Sequence, residues 1–378
     1  MPASVGGAAG GAGGASGGAG KKKISRRAAR SATASAVFGR SAGISNVADV
    51  GMEVDKMGNG VGDAADLAPD GAFAGTGARI VLLSLYSDYM TSDWPVLRGM
   101  FERKGFEVVH WSSAPTLDAM RDALADVPGS SVQFWLISGS TAMLSVAHLA
   151  LIAERWREGM GVHVMGDNAP YFADANALLT ALDGRLPYMQ GNLPAMDYVC
   201  VDGCAREAGL QVNGTHGFLR KDHRITTGIR RLFVGATVSW MAREPVEAAG
   251  LEVIMCATEQ DGAVVVAFAE ARTRAGAASP EEDDGTGKKV AKDAGSGKGG
   301  KAVTGPARGL DGVHGPLIVH TAFTSAYVNA DTAGTTRCFT NQAVILGALC
   351  EDARAKRLAA CRAMLRHCLA AGVTTMTT

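Results

Sequence analysis

The sequence predicts one α/β domain with a mostly parallel sheet and helices on both faces. Two observations predict it. Short apolar runs rich in β-forming residues alternate four times with amphipathic segments between residues 79 and 182. The spacing leaves room for one crossover helix after each run, as neighbouring parallel strands require. Low-complexity sequence around this region leaves one domain's worth of foldable chain.

Four strands are predicted first, at Arg79–Tyr86, Phe106–Trp111, Ser131–Ile137 and Gly161–Met165. The first connecting helix has Ser92 or Asp93 as its cap and Pro95 in its first turn, and Gly105 ends it. Thr116 is the predicted cap of the second helix. Two further helices follow the third and fourth strands, to about residues 158 and 182.

The second half of the chain predicts a partly antiparallel continuation of the sheet. Residues 183 to about 221 are turn-rich and receive no assignment, and Leu232–Trp240 follows as an apolar run. Leu251–Thr258 and Ala263–Ala269 flank a short turn, which indicates a hairpin. Pro316–His320 is another strand. A helix starts at Asn341 and continues to about residue 371, with Leu358, Cys361, Leu365 and Cys368 on one face, for packing or for binding a partner.

Two segments are predicted to be disordered. Residues 1–70 are rich in Gly and Ala and carry a basic cluster, Lys21–Arg30; residues 271–315 combine an acidic block with a Lys/Gly block. Neither offers enough apolar surface to offset the entropy of ordering. The folded domain is therefore expected within residues 71–378, interrupted by the 271–315 insert.

The charge balance and the cysteine content limit which partners and which cellular compartment the sequence predicts. The chain has 37 basic and 37 acidic residues, so it gives no global case for nucleic-acid binding. No apolar run is long enough for a membrane span, and a secretory signal is missing from the first twenty residues. Seven cysteines predict reduced thiols in the cytoplasm. The alternatives are nuclear targeting by Lys21–Arg30 and an organelle transit sequence.

Two turns at the carboxyl ends of strands are the predicted binding site. Ser138, Gly139 and Ser140 follow the third strand, and Gly166–Tyr171 follows the fourth. Open parallel sheets bind ligands at this edge, and the helix after each turn offers free N–H groups. Asp167, Asn168 and Tyr171 add polar side chains. The alternative interpretation is that Ser140 and Asp167 only cap helices.

Several segments resemble the class I glutamine amidotransferase-like superfamily, including its trehalose-utilisation-like relatives. GVHVMGDNAPYFADANALL is similar to the nucleophile elbow, and WLISGS to the oxyanion strand and loop. HRITTGIRRLFVGATVS and PLIVHTAFTSAYVNADTAGTTRCFTNQAVIL are similar to later segments of relatives. The resemblance spans residues 79–350 without the insert. It implies a flavodoxin-like fold.

The resemblance also implies that glutaminase chemistry is absent. Members with that activity carry Gly-x-Cys-x-Gly at the elbow and a late His-x-Glu. Here Asn168 stands at the nucleophile position, Pro170 replaces the second Gly, and His320 lacks its Glu partner. An amide is not a nucleophile. Asp167 and His320 are the acid/base pair that remains.

A weak metal-like group is formed by Cys200, Cys204, His216 and His223, whose histidine spacing departs from that of zinc fingers. We therefore expect no metal and no cofactor. The leading hypothesis is a non-catalytic domain that binds a small molecule or a protein. The alternative is a hydrolase or carbohydrate-related enzyme that uses Asp167 and His320. The sequence predicts neither the ligand nor the oligomeric state.

Overall fold

The computed structural model describes residues 53–86, 94–125, 131–194, 198–200, 217–220, 223–235, 237–257, 263–271, 314–326 and 334–370. Among these residues it contains a ten-stranded sheet and a separate two-stranded sheet. Helices cover both faces of the larger sheet. This arrangement confirms the predicted α/β class.

The strands within the described residues are β1 (Arg79–Ser84), β2 (Glu107–Trp111), β3 (Val132–Ile137), β4 (Gly161–Met165), β5 (Gln190–Pro194), β6 (Tyr198–Cys200), β7 (Gly217–Leu219), β8 (Arg231–Phe233), β9 (Thr237–Trp240), β10 (Glu252–Cys256), β11 (Val264–Ala269) and β12 (Leu317–His320). The α-helices are α1 (Trp94–Lys104), α2 (Leu117–Ala123), α3 (Val146–Arg157), α4 (Ala173–Leu182), α5 (Arg243–Ala248) and α6 (Thr335–Ala370). Short 3₁₀ turns lie at Asp63–Ala65, Arg224–Thr226 and Phe323–Ala326.

The strand order of the large sheet is β2-β1-β3-β4-β12-β11-β10-β7-β6-β8. The first five strands are parallel, and β11 and β10 continue the sheet in antiparallel fashion. The chain leaves β1 for β2 on one side and reaches β3 on the other. A parallel order that reverses between β1 and β3 fits a flavodoxin-like fold. The predicted hairpin is confirmed as β10 and β11.

Alternate residues of the central strands feed two separate cores. Ile80 and Leu82 belong to the core covered by α1 and α6, whereas Val81 and Leu83 belong to the core covered by α2, α3 and α4. The parallel strand β3 is buried along its whole length. Burial on both faces explains why its sequence is a continuous apolar run instead of an alternating one.

Local signals fix several element ends as predicted. Thr116 caps α2 and accepts a hydrogen bond from the Ala119 N–H at 3.2 Å. Gly105 follows α1 with a φ of 95°. A side chain there would meet the backbone of Ala74. The conformation and the close approach both require glycine at this helix end.

The predicted start of the folded domain is too late. Residues 53–70 pack against the domain, and Leu67 and Ala68 are buried. The Lys104 ammonium lies 2.7 Å from the Asp70 carboxylate and also pairs with Asp66, which binds Arg337 of α6. These ion pairs join the Gly-rich segment to two helices. The part of the predicted tail from residue 53 to residue 70 therefore belongs to the fold.

Three other boundaries also differ from the prediction. His314 and Gly315, assigned to the insert, are buried, and the His314 ring stacks on Trp156 at 4.8 Å. The run Leu232–Trp240 is split into β8 and β9 of different sheets, with Gly235 at a φ of 103° between them. Helix α6 begins at Thr335, six residues earlier than predicted. Ser92 and Asp93 lie outside the described residues, as do the side chains of the C-terminal half of α6.

Candidate functional site

The candidate site lies at the edge of the sheet where β1, β3, β4 and β12 end. Backbone hydrogen bonds join the turns that follow these strands: the Leu85 N–H donates to the Ile137 carbonyl at 2.8 Å, Ser138 to Met165 at 2.9 Å, and Gly166 to His320 at 2.9 Å. A Cβ on Gly139 would lie 2.6 Å from the Leu85 carbonyl oxygen. The two predicted turns are therefore held side by side, next to the reversal of strand order.

The turn after β3 has one exposed serine and one buried serine. The Ser138 hydroxyl accepts a hydrogen bond from the Ala175 N–H and donates to the Gly139 carbonyl, both at 3.2 Å. Ser138 therefore supports the start of α4. Ser140 is exposed. It does not cap α3, because Ser145 occupies that position, so the cap interpretation of Ser140 is wrong.

The turn after β4 is a tight bend with a cis peptide bond between Ala169 and Pro170. The Asp167 N–H donates to the Tyr171 carbonyl at 3.0 Å, and the Tyr171 N–H donates to the Asn168 carbonyl at 2.9 Å. Gly166 is buried beneath Met189. Helix α4 starts at Ala173 with no side-chain cap, so the cap interpretation of Asp167 is wrong as well.

Asp167 is the most perturbed carboxyl at this edge. Its side chain is 1% exposed. Burial raises the pKa of Asp167 to about 7, because the Asn168 N–H and the neighbouring Thr324 offset only part of the lost hydration. The Asn168 N–H donates to Oδ1 at 2.8 Å. At neutral pH this carboxyl therefore exists in both protonation states.

His320 does not form the predicted pair with Asp167. Neither of its ring nitrogens has a hydrogen-bond partner within the described residues. The ring points into the core beneath α6 and stacks on Phe339 with centroids 5.3 Å apart. Burial lowers the pKa of His320 to about 3. The His320 backbone carbonyl lies at the candidate site, where it accepts the Gly166 N–H. The His320 side chain lies in the core against Phe339 instead of beside Asp167.

The amide at the bend has no thiol beside it among the described cysteines. Asn168 is half-buried, and its Nδ2 lies 3.5 Å from the Ala169 carbonyl. Cys256 is in β10, whereas Cys338 and Cys350 are in α6. Asn168 is therefore accessible in part, and the described thiols are elsewhere.

Aromatic rings line part of the edge. Tyr86 makes edge-on contacts with Tyr171 and with Phe323, each with a centroid distance of 4.7 Å. A cavity of about 10 Å³ lies nearby, between the ends of the strands and helices α1 and α6. Its lining includes Trp135, Met165 and Phe339. This volume holds at most about one water, so a ligand must contact the outer rim of the edge.

Two residues at this site, and one in the core beneath it, were missed by the sequence interpretation. Asp174 is fully buried, and its Oδ1 accepts the N–H groups of Met143 and Leu144, each at 2.9 Å. Its position in the first turn of a predicted helix was the available signal. Thr324 lies against Gly235 and supports Asp167. His163 shares the buried strand β4 with valines, a pattern that indicated burial.

The proposed metal group is not assembled within the described part of the chain. The His223 Nδ1 accepts the Ile225 N–H at 3.1 Å and caps a 3₁₀ turn, while its ring contacts Phe268. No group of three or more potential metal ligands occurs among the described residues. Cys204, His216 and the side chain of Cys200 lie outside them.

A larger cavity of about 260 Å³ lies at the opposite, amino edge of the sheet. Glu252, Glu270 and His314 line it. Its described wall stops at Ala271 and His314, where the chain continues outside the described residues. We therefore assign no site there.

Comparison with known proteins shows a weak structural likeness. No family model matches the chain, and no curated protein matches it. A putative ThuA-like protein from Bacteroides uniformis shares 12% identity with a TM-score of 0.30, over 48% of this chain and 68% of that one. Separately, no helix in the described residues has both the length and the apolar character that a membrane crossing needs.

Proposed function

We propose that this chain binds a small polar molecule at the carboxyl edge of its parallel sheet, beside the bend Gly166–Tyr171. The observation that carries the proposal is the buried Asp167 carboxyl with a pKa of about 7. Perturbed carboxyls concentrate at functional sites, and open parallel sheets bind ligands at this edge. The other form of the hypothesis, that this domain binds a protein, stays a prediction.

The chemistry of the rim favours a ligand with hydroxyl, amide or carboxylic acid groups. Asp167 lies beneath this rim and is 1% exposed, and a carboxyl that is half protonated near neutral pH both donates and accepts hydrogen bonds. The amide of Asn168 offers both roles too, and the exposed Ser140 hydroxyl adds a third such group on the neighbouring turn. A strongly anionic ligand fits less well, because it would raise the cost of ionising Asp167 further.

A ligand screen by thermal shift on the full chain tests this proposal. The panel consists of polyols, small amides and small carboxylic acids. A ligand at 100 times its Kd stabilises the native state by about 2.7 kcal/mol. We expect such a ligand to lose most of its stabilising effect in Asn168→Leu and in Asp167→Asn.

The matched control is Asp183→Asn, which makes the same chemical change at the far end of α4. It should bind the ligand as the natural chain does. A ligand that stabilises Asn168→Leu, Asp167→Asn and the natural chain equally would place the binding site elsewhere and contradict the proposal.

The second candidate is hydrolysis with Asp167 as general acid or base. The same pKa favours it, because a group titrating near the working pH is the most effective proton carrier. His320 has no part in this version, since its ring does not reach Asp167. Turnover of ester or glycoside substrates with a pH inflection near 7, lost in Asp167→Asn, would favour catalysis over binding alone.

A further inference from the structure

A pair of histidines lies in the core, away from the binding edge. His163 is in β4 and His320 ends β12, and the two strands are parallel neighbours with Ile318 opposite His163. Their rings are nearly parallel, at 17°, with centroids 6.0 Å apart. Both side chains are completely buried. Two imidazoles therefore occupy one apolar layer between the sheet and α6.

The surroundings of the pair are aromatic. Trp135 of β3 meets His163 edge-on at 4.2 Å. Phe339 of α6 stacks on His320 with centroids 5.3 Å apart and lies tilted against His163 at 6.1 Å. None of the four ring nitrogens has a hydrogen-bond partner within the described residues. Helix α6 thus packs directly on two imidazole rings whose nitrogens have no hydrogen-bond partner among the described residues.

No opposite charge in the described surroundings compensates a proton on the pair. On the flanking strands Val266 of β11 lies opposite His320, and Trp135 of β3 lies opposite His163. On α6 the nearest titratable group in sequence to Phe339 is Cys338, whose pKa burial raises to about 12, so it stays neutral. Asp167, on the bend after β4, contributes nothing to the titration of either ring. Apart from burial, the His320 ring, 6.0 Å away, is what lowers the pKa of His163.

We propose that His163 and His320 form an acid-sensitive latch, which holds the first half of α6 on the sheet while both rings are neutral and releases it when either is protonated. A buried imidazolium without a partner is costly, and moving α6 away would give it water. The proposal is independent of the ligand site at the carboxyl edge.

The sign of the pH dependence follows from proton binding. Burial lowers the pKa of both rings, to about 3 for His320 and well below the ordinary value of 6.5 for His163. The packed state therefore binds fewer protons than the released state below pH 6.5. Each ring then favours release by up to about tenfold for every further unit of pH. Packing is fully retained above 6.5.

Hydrogen–deuterium exchange of the full chain at pH 7 and pH 5, corrected for the intrinsic exchange rate, tests the latch. We expect the opening constant of amides in residues 338–350 to rise by at least about 30-fold at pH 5. Helix α3, which packs on the opposite face of the sheet, should keep its protection. The double variant His163→Phe with His320→Phe should keep α6 protected at both pH values.

Two further variants keep the test decisive. If the phenylalanine pair does not fold, His163→Leu with His320→Leu removes the same titration with smaller side chains. His110→Phe is the matched control, because His110 is a half-buried ring on edge strand β2 that contacts Trp94 with centroids 4.6 Å apart. It should open α6 in acid as the natural chain does.

Three results would overturn the proposal. The first is equal protection of residues 338–350 at both pH values in the natural chain. The second is acid opening of α6 in the double variant. The third is loss of protection in α3 together with α6, which would show acid unfolding of the whole molecule instead of release of one helix.

Discussion

Asp167 and Asp174 are two buried carboxyls at the same edge of the sheet, and they accept hydrogen bonds from different parts of the chain. Asp174 accepts two backbone N–H groups from the loop before α3 and so fixes that loop. Asp167 accepts the N–H of its own neighbour and lies beside Thr324. Burial raises the pKa of both. The different partners lead us to interpret Asp174 as structural and Asp167 as the buried carboxyl beneath the candidate binding rim.

The structural role of Asp174 predicts a specific loss of stability. Asp174→Ala should lower the free energy of unfolding by about 2–4 kcal/mol, because two backbone N–H groups lose their buried acceptor. Asp174→Asn keeps an acceptor oxygen and should cost clearly less. Urea denaturation of both variants measures the difference, and equal losses would contradict the assignment.

Among the elements, those set by local sequence could be predicted and those set by tertiary contacts could not. The first four strands, the β10–β11 hairpin and the Thr116 cap follow from patterns within a few residues. The packing of residues 53–70 does not, because this segment is held by Lys104 and Arg337 from distant helices. The break at Gly235 likewise depends on Thr324, which is remote in sequence.

The ion pairs of Lys104 predict how strongly the segment before β1 is attached. The Lys104 side chain is 3% exposed, and it pairs with Asp66 and with the half-exposed Asp70. Lys104→Met should lower the free energy of unfolding by about 2–4 kcal/mol, since Asp66 keeps Arg337 but loses one partner.

The control for Lys104 lies on the same helix. Arg98 forms an exposed pair with Glu102 one turn away, so Arg98→Met should cost at most about 0.5 kcal/mol. Thermal or urea denaturation of the two variants gives the comparison. A loss for Lys104→Met no larger than for Arg98→Met would mean that the segment is held by other contacts.

At the scale of the whole molecule, a late segment completes the central sheet. Strand β12 lies between β4 and β11 and pairs with both, although about 150 residues separate it from β4 in the chain. The sequence predicted that β12 is a strand but not its place. It predicted a candidate site at this edge of the sheet, but it gave no sign that β12 turns the His320 ring into the core.

The stability of the whole molecule should depend on pH in two opposite ways. The histidine pair lowers stability as the pH falls below 6.5, as argued above. Asp167 acts in the other direction. Its folded pKa of about 7 lies above its ordinary value of 3.8, so the native state binds more protons than the unfolded state between these values. Its contribution therefore falls as the pH rises through that window.

The difference in unfolding free energy between the natural chain and Asp167→Asn, measured by urea denaturation from about pH 4 to about pH 8, tests the central claim most directly. The variant cannot ionise at this position, so it should gain about 4 kcal/mol relative to the natural chain across that range. Asp183→Asn should show no such gain, since Arg185 lowers the pKa of Asp183. A difference for Asp167→Asn that stays constant with pH would show that Asp167 titrates as an ordinary carboxyl, contrary to this account.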